Sequence, residues 1–305
     1  MKALLEKILD SCRCEIEKGK VASYIPELAK ADVRDFGISI MDPAGNVYSA
    51  GDYDKPFTMQ SIIKPITLLA ALIDNGEDRV RDLVGVEATG KPFDAFNYSD
   101  LALSSEHINP MINTGAIALC TMIGGATYGE KFERLLSLVK AISGNPDLQV
   151  DEQVYRSEKS TGNKNRALAY MLKAYGLITA DVEELLDLYF RACSIRVNTL
   201  DLARIGLVFA SHGKDPVTGQ RHFSARYARY VNAILMTCGM YDGSGEFALN
   251  VGIPAKSGVG GGIVAIAPNK MGIGIYSPAL NGKGNSIAGI KALEQLSAEL
   301  ELSIF

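Results

Sequence analysis

Near both ends of the chain, apolar residues follow the patterns of β-strands. Residues 36–41 alternate in character, residues 42–45 have the composition of a tight turn, and residues 46–50 return as the second strand of a hairpin. Residues 261–268 and 272–277 are apolar runs rich in β-branched side chains, separated by a short turn. Short runs bounded by turn residues indicate strands. The two ends of the chain are therefore expected to pair as one antiparallel sheet.

The middle of the chain follows the helical period instead. Segments with apolar residues every three to four positions are 131–142, 165–175, 180–192, 199–209 and 225–236. Residues 1–10 and 286–300 also read as helices that would flank the sheet. The sequence thus predicts an α+β fold with an inserted all-helical subdomain. We expect one subdomain from residues 1–60 with 246–305, a helical one from 61–245, and the active site between them.

Composition excludes several classes of function. The 305 residues are 47% hydrophobic and 22% charged with a net charge of −4, which is typical of a soluble globular protein without a nucleic-acid or membrane partner. The N-terminus lacks the unbroken apolar region of an export signal. Five scattered cysteines favour reduced thiols in a cytoplasm, and three histidines without metal-ligand spacing make a metal site unexpected.

The first candidate for chemistry is a Ser-x-x-Lys spacing, which occurs at Ser61, Ser137 and Ser211. Only Ser61, with Lys64 three residues later on the same face, lies where a helix is expected to begin. Backbone N–H groups at such a position have no partner within the helix and point at whatever binds there. Pro65 fits only if it lies in the first helical turn. Taken alone, Ser61 is better explained as a helix cap followed by a solvated Lys64.

A second motif, Lys256-Ser257-Gly258, precedes the strand-like residues 261–268. Ser-x-x-Lys on a helix with Lys-Ser/Thr-Gly on a strand marks serine acyl-transferases of the β-lactamase and penicillin-binding kind. The glycines of residues 258–262 precede a strand rather than a helix, so they indicate close backbone approach to a ligand along an edge strand rather than a dinucleotide loop. No Gly-x-Ser-x-Gly elbow accompanies a histidine, so the expected base is a lysine.

Five further segments turn this pair of motifs into an ordered set. They are residues 21–28, 109–117, 157–166, 188–194 and 239–248. With residues 60–64 and 256–262, the set closely resembles the serine-dependent glutaminases, which are β-lactamase-like L-glutamine amidohydrolases. The resemblance runs from about Tyr24 to Ile263. It implies a β-lactamase/transpeptidase-like fold and hydrolysis of glutamine to glutamate and ammonia, without a cofactor, in a homodimer or homotetramer.

The resemblance also implies roles for individual residues. Ser61 matches the nucleophile and Lys64 its base, while either Tyr241 or Tyr24 would relay the proton. The backbone N–H of Val259 would complete the oxyanion hole with that of Ser61. The matched substrate-binding positions are Gln60, Ser61, Asn113, Glu158, Asn165, Tyr189, Tyr241 and Val259. Among these, Glu158 would pair with the substrate ammonium, and Asn113, Asn165 and Tyr189 would bind its carboxylate.

Two alternatives use the same residues. A β-lactamase or D-alanyl peptidase would share both motifs, but the chain has neither an export signal nor a Ser-Asp-Asn triplet. A non-catalytic glutamine- or peptide-binding protein could share the fold, since a fold does not fix a function. The presence of both Ser61 and Lys64 disfavours that interpretation.

Overall fold

The computed structural model describes residues 1–88 and 108–305. Its main sheet is antiparallel, with strand order β2-β1-β7-β6-β5. The strands are β1 (Gly37–Met41), β2 (Val47–Gly51), β3 (Phe57–Thr58), β4 (Arg196–Val197), β5 (Ala255–Ser257), β6 (Gly262–Ala267) and β7 (Met271–Tyr276). The central pairing joins the chain ends, because Ile38 of β1 lies opposite Ile275 of β7. The α+β prediction, with an antiparallel sheet from both ends of the chain, is confirmed.

Each segment predicted to be helical forms a helix with ends shifted by a few residues, whereas the helices Glu77–Leu83, Glu152–Thr161 and Ser244–Asn250 were not predicted. The helices are Lys2–Cys12, Lys64–Asn75, Glu77–Leu83, Asn113–Cys120, Tyr128–Ser143, Glu152–Thr161, Asn163–Ala174, Val182–Cys193, Thr199–Ala210, Ala225–Cys238, Ser244–Asn250 and Ile287–Glu299. The range expected to be all-helical also contains β4, which pairs with β3. His107, one of the three histidines, lies outside the described residues. Within the described residues, no helix is long and apolar enough to span a membrane.

Helices cover both faces of the sheet. On one face, the N-terminal and C-terminal helices bury residues such as Leu5 and Leu293 against Ile38 and Ile273. On the other face, helix Thr199–Ala210 packs directly on β7. An added Cβ at Gly272 of β7 would lie 2.0 Å from the Ala203 carbonyl oxygen, so this close packing requires glycine there.

That helix belongs to the range assigned from sequence to the helical subdomain, yet it lies against the sheet. The largest apolar cluster is also continuous across the expected boundary, since it contains Val264 and Ile266 of β6 together with residues of the central helices such as Leu69 and Leu185. The boundaries at residues 60/61 and 245/246 stay a prediction. What matters for function is that helix Lys64–Asn75 and β6, the strand that pairs with β5, share one packed interior.

Candidate active site

Ser61 lies in a tight turn at the start of a buried helix. Residues Gln60–Ile63 form a 3₁₀ turn that continues into helix Lys64–Asn75, with Pro65 in the first α-helical turn. Pro65 is therefore accommodated where its missing N–H is tolerated. Gln60, directly before Ser61, has φ of +48°, a conformation that a residue with a Cβ rarely adopts. Such outliers are typical of sites where the surrounding structure holds a reactive group in place.

Lys64 is completely buried one turn beyond Ser61. Its Nζ donates hydrogen bonds to the Met111 carbonyl oxygen at 3.2 Å and to Asn113 Oδ1 at 2.6 Å. A neutral amine has two N–H donors and one lone pair. Deprotonated Lys64 can therefore keep both of these bonds while its lone pair accepts a proton. The structure thus brings together two of the residues matched from sequence, Lys64 and Asn113.

Tyr241, a matched residue distant in sequence, lies close to Ser61. Its buried hydroxyl donates to the Ser257 carbonyl oxygen at 3.0 Å and interacts with the Ser61 side chain. Burial raises the pKa of this phenol above its ordinary value, which keeps it protonated. Tyr24, the other proton-relay candidate, lines the mouth of the cavity and is 57% exposed. Of the two tyrosines, Tyr241 is the more deeply buried.

Lys256 of the Lys-Ser-Gly motif lies beneath Tyr241. Its Nζ is 4.1 Å from the centre of the Tyr241 ring and donates to the Ser257 carbonyl oxygen at 2.6 Å. Burial, and secondarily the charge of Lys64, lower the pKa of Lys256 well below its ordinary value. The charge of Lys64, in one of the paired motifs, therefore acts on Lys256 in the other.

The glycine-rich turn after β5 packs on the residues that directly precede Ser61. An added Cβ at Gly258 would lie 2.6 Å from the Met59 carbonyl oxygen, and one at Gly260 would lie 3.0 Å from that of Thr58. The close approach is therefore to the chain's own backbone, whereas the sequence suggested close approach to a ligand. This contact brings the backbone of Val259 to the wall of the cavity that also contains Ser61.

A cavity of about 820 Å³ opens in front of Ser61. The matched residues that line it are Tyr24, Gln60, Ser61, Asn113, Glu158, Asn165, Tyr189 and Val259. They come from six separate segments of the chain. The cavity therefore collects nearly all of the substrate-binding positions that the resemblance implied.

Glu158, on helix Glu152–Thr161, is the buried carboxyl group of this cavity. It is only 6% exposed, and Gln60 Nε2 lies 3.5 Å from its Oε2. Burial raises the pKa of Glu158 to about 8, an effect that the Gln60 hydrogen bond and the charge of Lys64 only partly oppose. A cationic ligand group beside this buried carboxyl group would favour its ionised form, so the site suits a ligand with a positive charge.

Three further polar groups form a linked set on the cavity wall. Asn113 Nδ2 donates to Asn165 Oδ1 at 2.9 Å, and the Tyr189 hydroxyl donates to Asn113 Oδ1 at 3.5 Å. Asn113 Oδ1 also accepts a hydrogen bond from Lys64, so this amide connects Lys64 to the cavity wall. Donors and acceptors at fixed positions in a largely apolar cavity orient a ligand.

Sequence reasoning did not select every residue of the cavity. Cys193 lines it and is hydrogen-bonded to both Glu158 and Tyr189. Its place in the matched segment 188–194 was the available signal. Asp242 and several lysines also line the mouth of the cavity. Nothing in the sequence distinguishes these lysines from lysines elsewhere on the surface. Across residues 1–88 and 108–305, no group of three or more His, Cys, Asp or Glu side chains could hold a metal ion.

Comparison with known proteins identifies relatives over the whole length. A family model described as Glutaminase matches residues 19–305. A protein of Clostridium perfringens (strain 13 / Type A), glutaminase 2, is 51% identical over 305 residues, covering 100% of both chains. A probable glutaminase from Bacillus subtilis, complexed with 6-diazo-5-oxo-L-norleucine, has a TM-score of 0.91 at 39% identity, covering 100% of this chain and 97% of that chain.

A second solved structure adds chemical information about a relative. It is the covalent complex between the Bacillus subtilis glutaminase YbgJ and 5-oxo-L-norleucine, formed by reaction with 6-diazo-5-oxo-L-norleucine. It has a TM-score of 0.91 at 38% identity and covers 100% of this chain and 99% of that chain.

Proposed function

This chain belongs to the glutaminase family, and we propose that it hydrolyses the side-chain amide of L-glutamine through an acyl-enzyme on Ser61. Its α+β fold is the β-lactamase-like fold of the bacterial serine glutaminases. The observation that carries the proposal is that one cavity is lined by both Ser61 and a buried carboxyl group, Glu158. Ser61 precedes the buried Lys64 by one helical turn and interacts with Tyr241.

The reaction begins with attack of Ser61 Oγ on the carbonyl carbon of the substrate amide. The Ser61 proton passes to neutral Lys64, directly or through the Tyr241 hydroxyl, because a serine hydroxyl is a weak nucleophile without a base. The backbone N–H groups of Ser61 and Val259 stabilise the resulting oxyanion. Return of the proton to the amide nitrogen releases ammonia and leaves the γ-glutamyl ester on Ser61. Water then cleaves the ester by the same proton path.

Specificity for glutamine comes from the other polar groups that line the cavity. The ionised carboxylate of Glu158 pairs with the α-ammonium group of the substrate, while Asn113, Asn165 and Tyr189 hydrogen-bond its α-carboxylate. These groups are fixed by their bonds to one another. The length of the substrate then decides whether its amide carbon reaches Ser61. Asparagine, one methylene shorter, would leave its amide carbon out of reach when bound at the same groups.

The decisive experiment labels the nucleophile. 6-Diazo-5-oxo-L-norleucine should modify Ser61, identified by mass spectrometry of the labelled peptide, as the covalent complex of the Bacillus subtilis relative suggests. Cys193 is the matched control because its thiol lines the same cavity. Cys193→Ser should be labelled as fast as the unmodified protein, whereas Ser61→Ala should not be labelled and should lose turnover by several orders of magnitude. Labelling at Cys193 would overturn the mechanism.

The same preparation distinguishes the competing activities. Ammonia release is measured with glutamine and asparagine, and hydrolysis with a chromogenic β-lactam. We expect turnover of glutamine alone. Turnover of the β-lactam in preference to glutamine would favour the β-lactamase or D-alanyl peptidase alternative, and binding of glutamine without turnover would favour a binding protein.

We also propose that the protein works in the cytoplasm as a homodimer or homotetramer. The five cysteines are free thiols, which is consistent with a reducing compartment. Light scattering coupled to size-exclusion chromatography tests the assembly, and a monomer mass at working concentration would contradict it.

A further inference from the structure

Tyr241 has a backbone conformation that its residue type disfavours. Its φ is +58°, in the left-handed region, where the Cβ crowds the following carbonyl oxygen. It begins a short 3₁₀ turn, Tyr241–Gly243, at the end of which helix Ser244–Asn250 starts. A non-glycine residue remains in this region only when surrounding contacts hold it there. The contacts that hold Tyr241 are therefore part of the site.

Ser244 makes the first of these contacts. Its Oγ donates to the Tyr241 carbonyl oxygen at 2.9 Å and accepts from the Met240 backbone N–H at 3.1 Å. One buried hydroxyl group thus joins the Gly239–Met240 peptide group to the Tyr241–Asp242 peptide group and spans the residue with the strained φ angle. Because both bonds go to the backbone, Ser244 acts on the conformation of Tyr241 rather than on the contents of the cavity.

Asn285, distant in sequence, makes the second contact. Its Nδ2 donates to the Met240 carbonyl oxygen at 3.1 Å, and the residue is 1% exposed. The absence of a side chain at Gly243 leaves room for it, since an added Cβ there would lie 3.3 Å from Asn285 Nδ2. Asn285 is itself anchored, because its backbone N–H donates to Asn281 Oδ1 at 3.1 Å.

The start of the turn is fastened to the sheet. The Ser257 backbone N–H donates to the Gly239 carbonyl oxygen at 3.2 Å, and an added Cβ at Gly239 would lie 1.7 Å from the Ala255 carbonyl oxygen. Residue 239 therefore cannot shift away from β5 to relieve the conformation of Tyr241. The turn is fixed at Gly239 by the sheet and at Met240 to Ser244 by two side chains.

We propose that Ser244 and Asn285 are positioning residues that hold Tyr241 in its left-handed conformation and thereby hold its hydroxyl against Ser61. The proposal rests on the proposed function, in which Tyr241 takes part in proton transfer. Without the two contacts, φ of Tyr241 relaxes to a negative value and its Cα–Cβ bond changes direction. A phenol hydroxyl is at the far end of a long, rigid side chain, so a small rotation moves it out of hydrogen-bonding reach of Ser61.

The first test separates the chemical step from binding. Ser244→Ala and Asn285→Ala should each lower kcat for glutamine by about 10- to 100-fold, part of what a proton-transfer group contributes, with a smaller change in KM. Ser244→Thr, which keeps the hydroxyl group, should recover most of the loss. Ser297→Ala is the matched control, since Ser297 is equally buried and its Oγ donates to the Val251 carbonyl oxygen away from the cavity. It should leave kcat nearly unchanged.

The second test asks whether the effect passes through the hydroxyl of Tyr241. In a Tyr241→Phe background, Ser244→Ala should cause little further loss of kcat, because the group it positions is gone. A further 10-fold loss in that background would overturn the proposal, as would wild-type kcat in both Ser244→Ala and Asn285→Ala.

The outcomes separate this inference from the proposed function. Full activity of Tyr241→Phe would remove Tyr241 from the mechanism and the positioning role with it. Loss of activity in Tyr241→Phe with none in the positioning variants would remove the positioning role alone. Circular dichroism melting identifies a variant that fails to fold. If Ser244→Ala fails to fold, kcat is compared in Asn285→Ala and Ser244→Thr instead.

Discussion

Replacing Glu158 with glutamine should make the protein more stable and less active at the same pH. The carboxyl group is 6% exposed and its pKa is raised by burial from 4.5 to about 8. A carboxyl group whose pKa is higher in the folded state binds more protons there than in the unfolded chain. The free energy of unfolding therefore falls as the pH rises from about 4.5 to about 8, and then levels off.

The size of this effect follows from the same two pKa values. Each pKa unit corresponds to about 1.4 kcal/mol, so keeping Glu158 buried costs on the order of 3 kcal/mol at pH 7 and 5 kcal/mol above pH 8. Glutamine has nearly the same shape and does not titrate. Glu158→Gln should remove this cost. The free energy of unfolding of the variant should therefore exceed that of the unmodified protein by a small amount at pH 5 and by the largest amount at pH 9.

Activity should change in the opposite direction. Loss of the carboxylate leaves the substrate ammonium without a partner in a desolvated site, which costs on the order of 2–5 kcal/mol. That corresponds to a loss of roughly 30- to 5,000-fold in kcat/KM for glutamine. Such a residue is retained for binding, at the expense of the fold that contains it.

The assay is urea unfolding of both proteins at pH 5, 7 and 9, paired with initial rates of ammonia release. Glu27→Gln is the control, because Glu27 forms an ion pair with Lys30 outside the cavity. It should show neither the pH-dependent gain in stability nor the loss of activity. If Glu158→Gln were less stable than the unmodified protein at pH 9, the argument from burial would be refuted and Glu158 would be structural.

Two further predictions concern protonation of the site. At pH 7, Glu158 with a pKa of about 8 is mostly protonated, so glutamine binding to the inactive Ser61→Ala variant should release close to one proton. Calorimetry in buffers of different ionisation enthalpy measures this, and a binding enthalpy independent of buffer would contradict it. Lys64→Met and Lys64→Arg should both lose turnover by several orders of magnitude, because neither side chain can exchange a proton at neutral pH. Substantial activity of Lys64→Arg at pH 7 would transfer the role of base to Tyr241 or Tyr24.

Local patterns in the sequence were sufficient for most of the elements and for the helix that begins near Ser61. The hairpin of β1 and β2, the pair β6 and β7, and the longer helices follow from apolar periodicity and turn residues, which act over a few neighbouring positions. The two-residue strands β3 and β4 and the helices Glu77–Leu83, Glu152–Thr161 and Ser244–Asn250 were not predicted. The ordered motifs identified the family and its candidate residues. The motif Ser61 to Lys64, with Pro65 after it, could be assigned to a helix start for the same local reason.

Other properties depend on contacts between residues far apart in the chain, which no local pattern encodes. Tyr24 and Tyr241 are equivalent candidates in sequence, and only the packing of the turn at Gly239 against β5 brings Tyr241 to Ser61. The glycines after β5 indicated a close approach, but its partner, the backbone at residues 58–59, required the tertiary structure.

The sequence by itself determined which residue types were available to this protein, where its helices and strands form, and which family it resembles. Tertiary structure decided their chemical state and orientation. Glu158 is an ordinary carboxyl group in sequence, and burial alone raises its pKa to about 8. Desolvation and backbone strain depend on everything that surrounds a group. Because those surroundings come from distant segments, they exist only once the chain has folded.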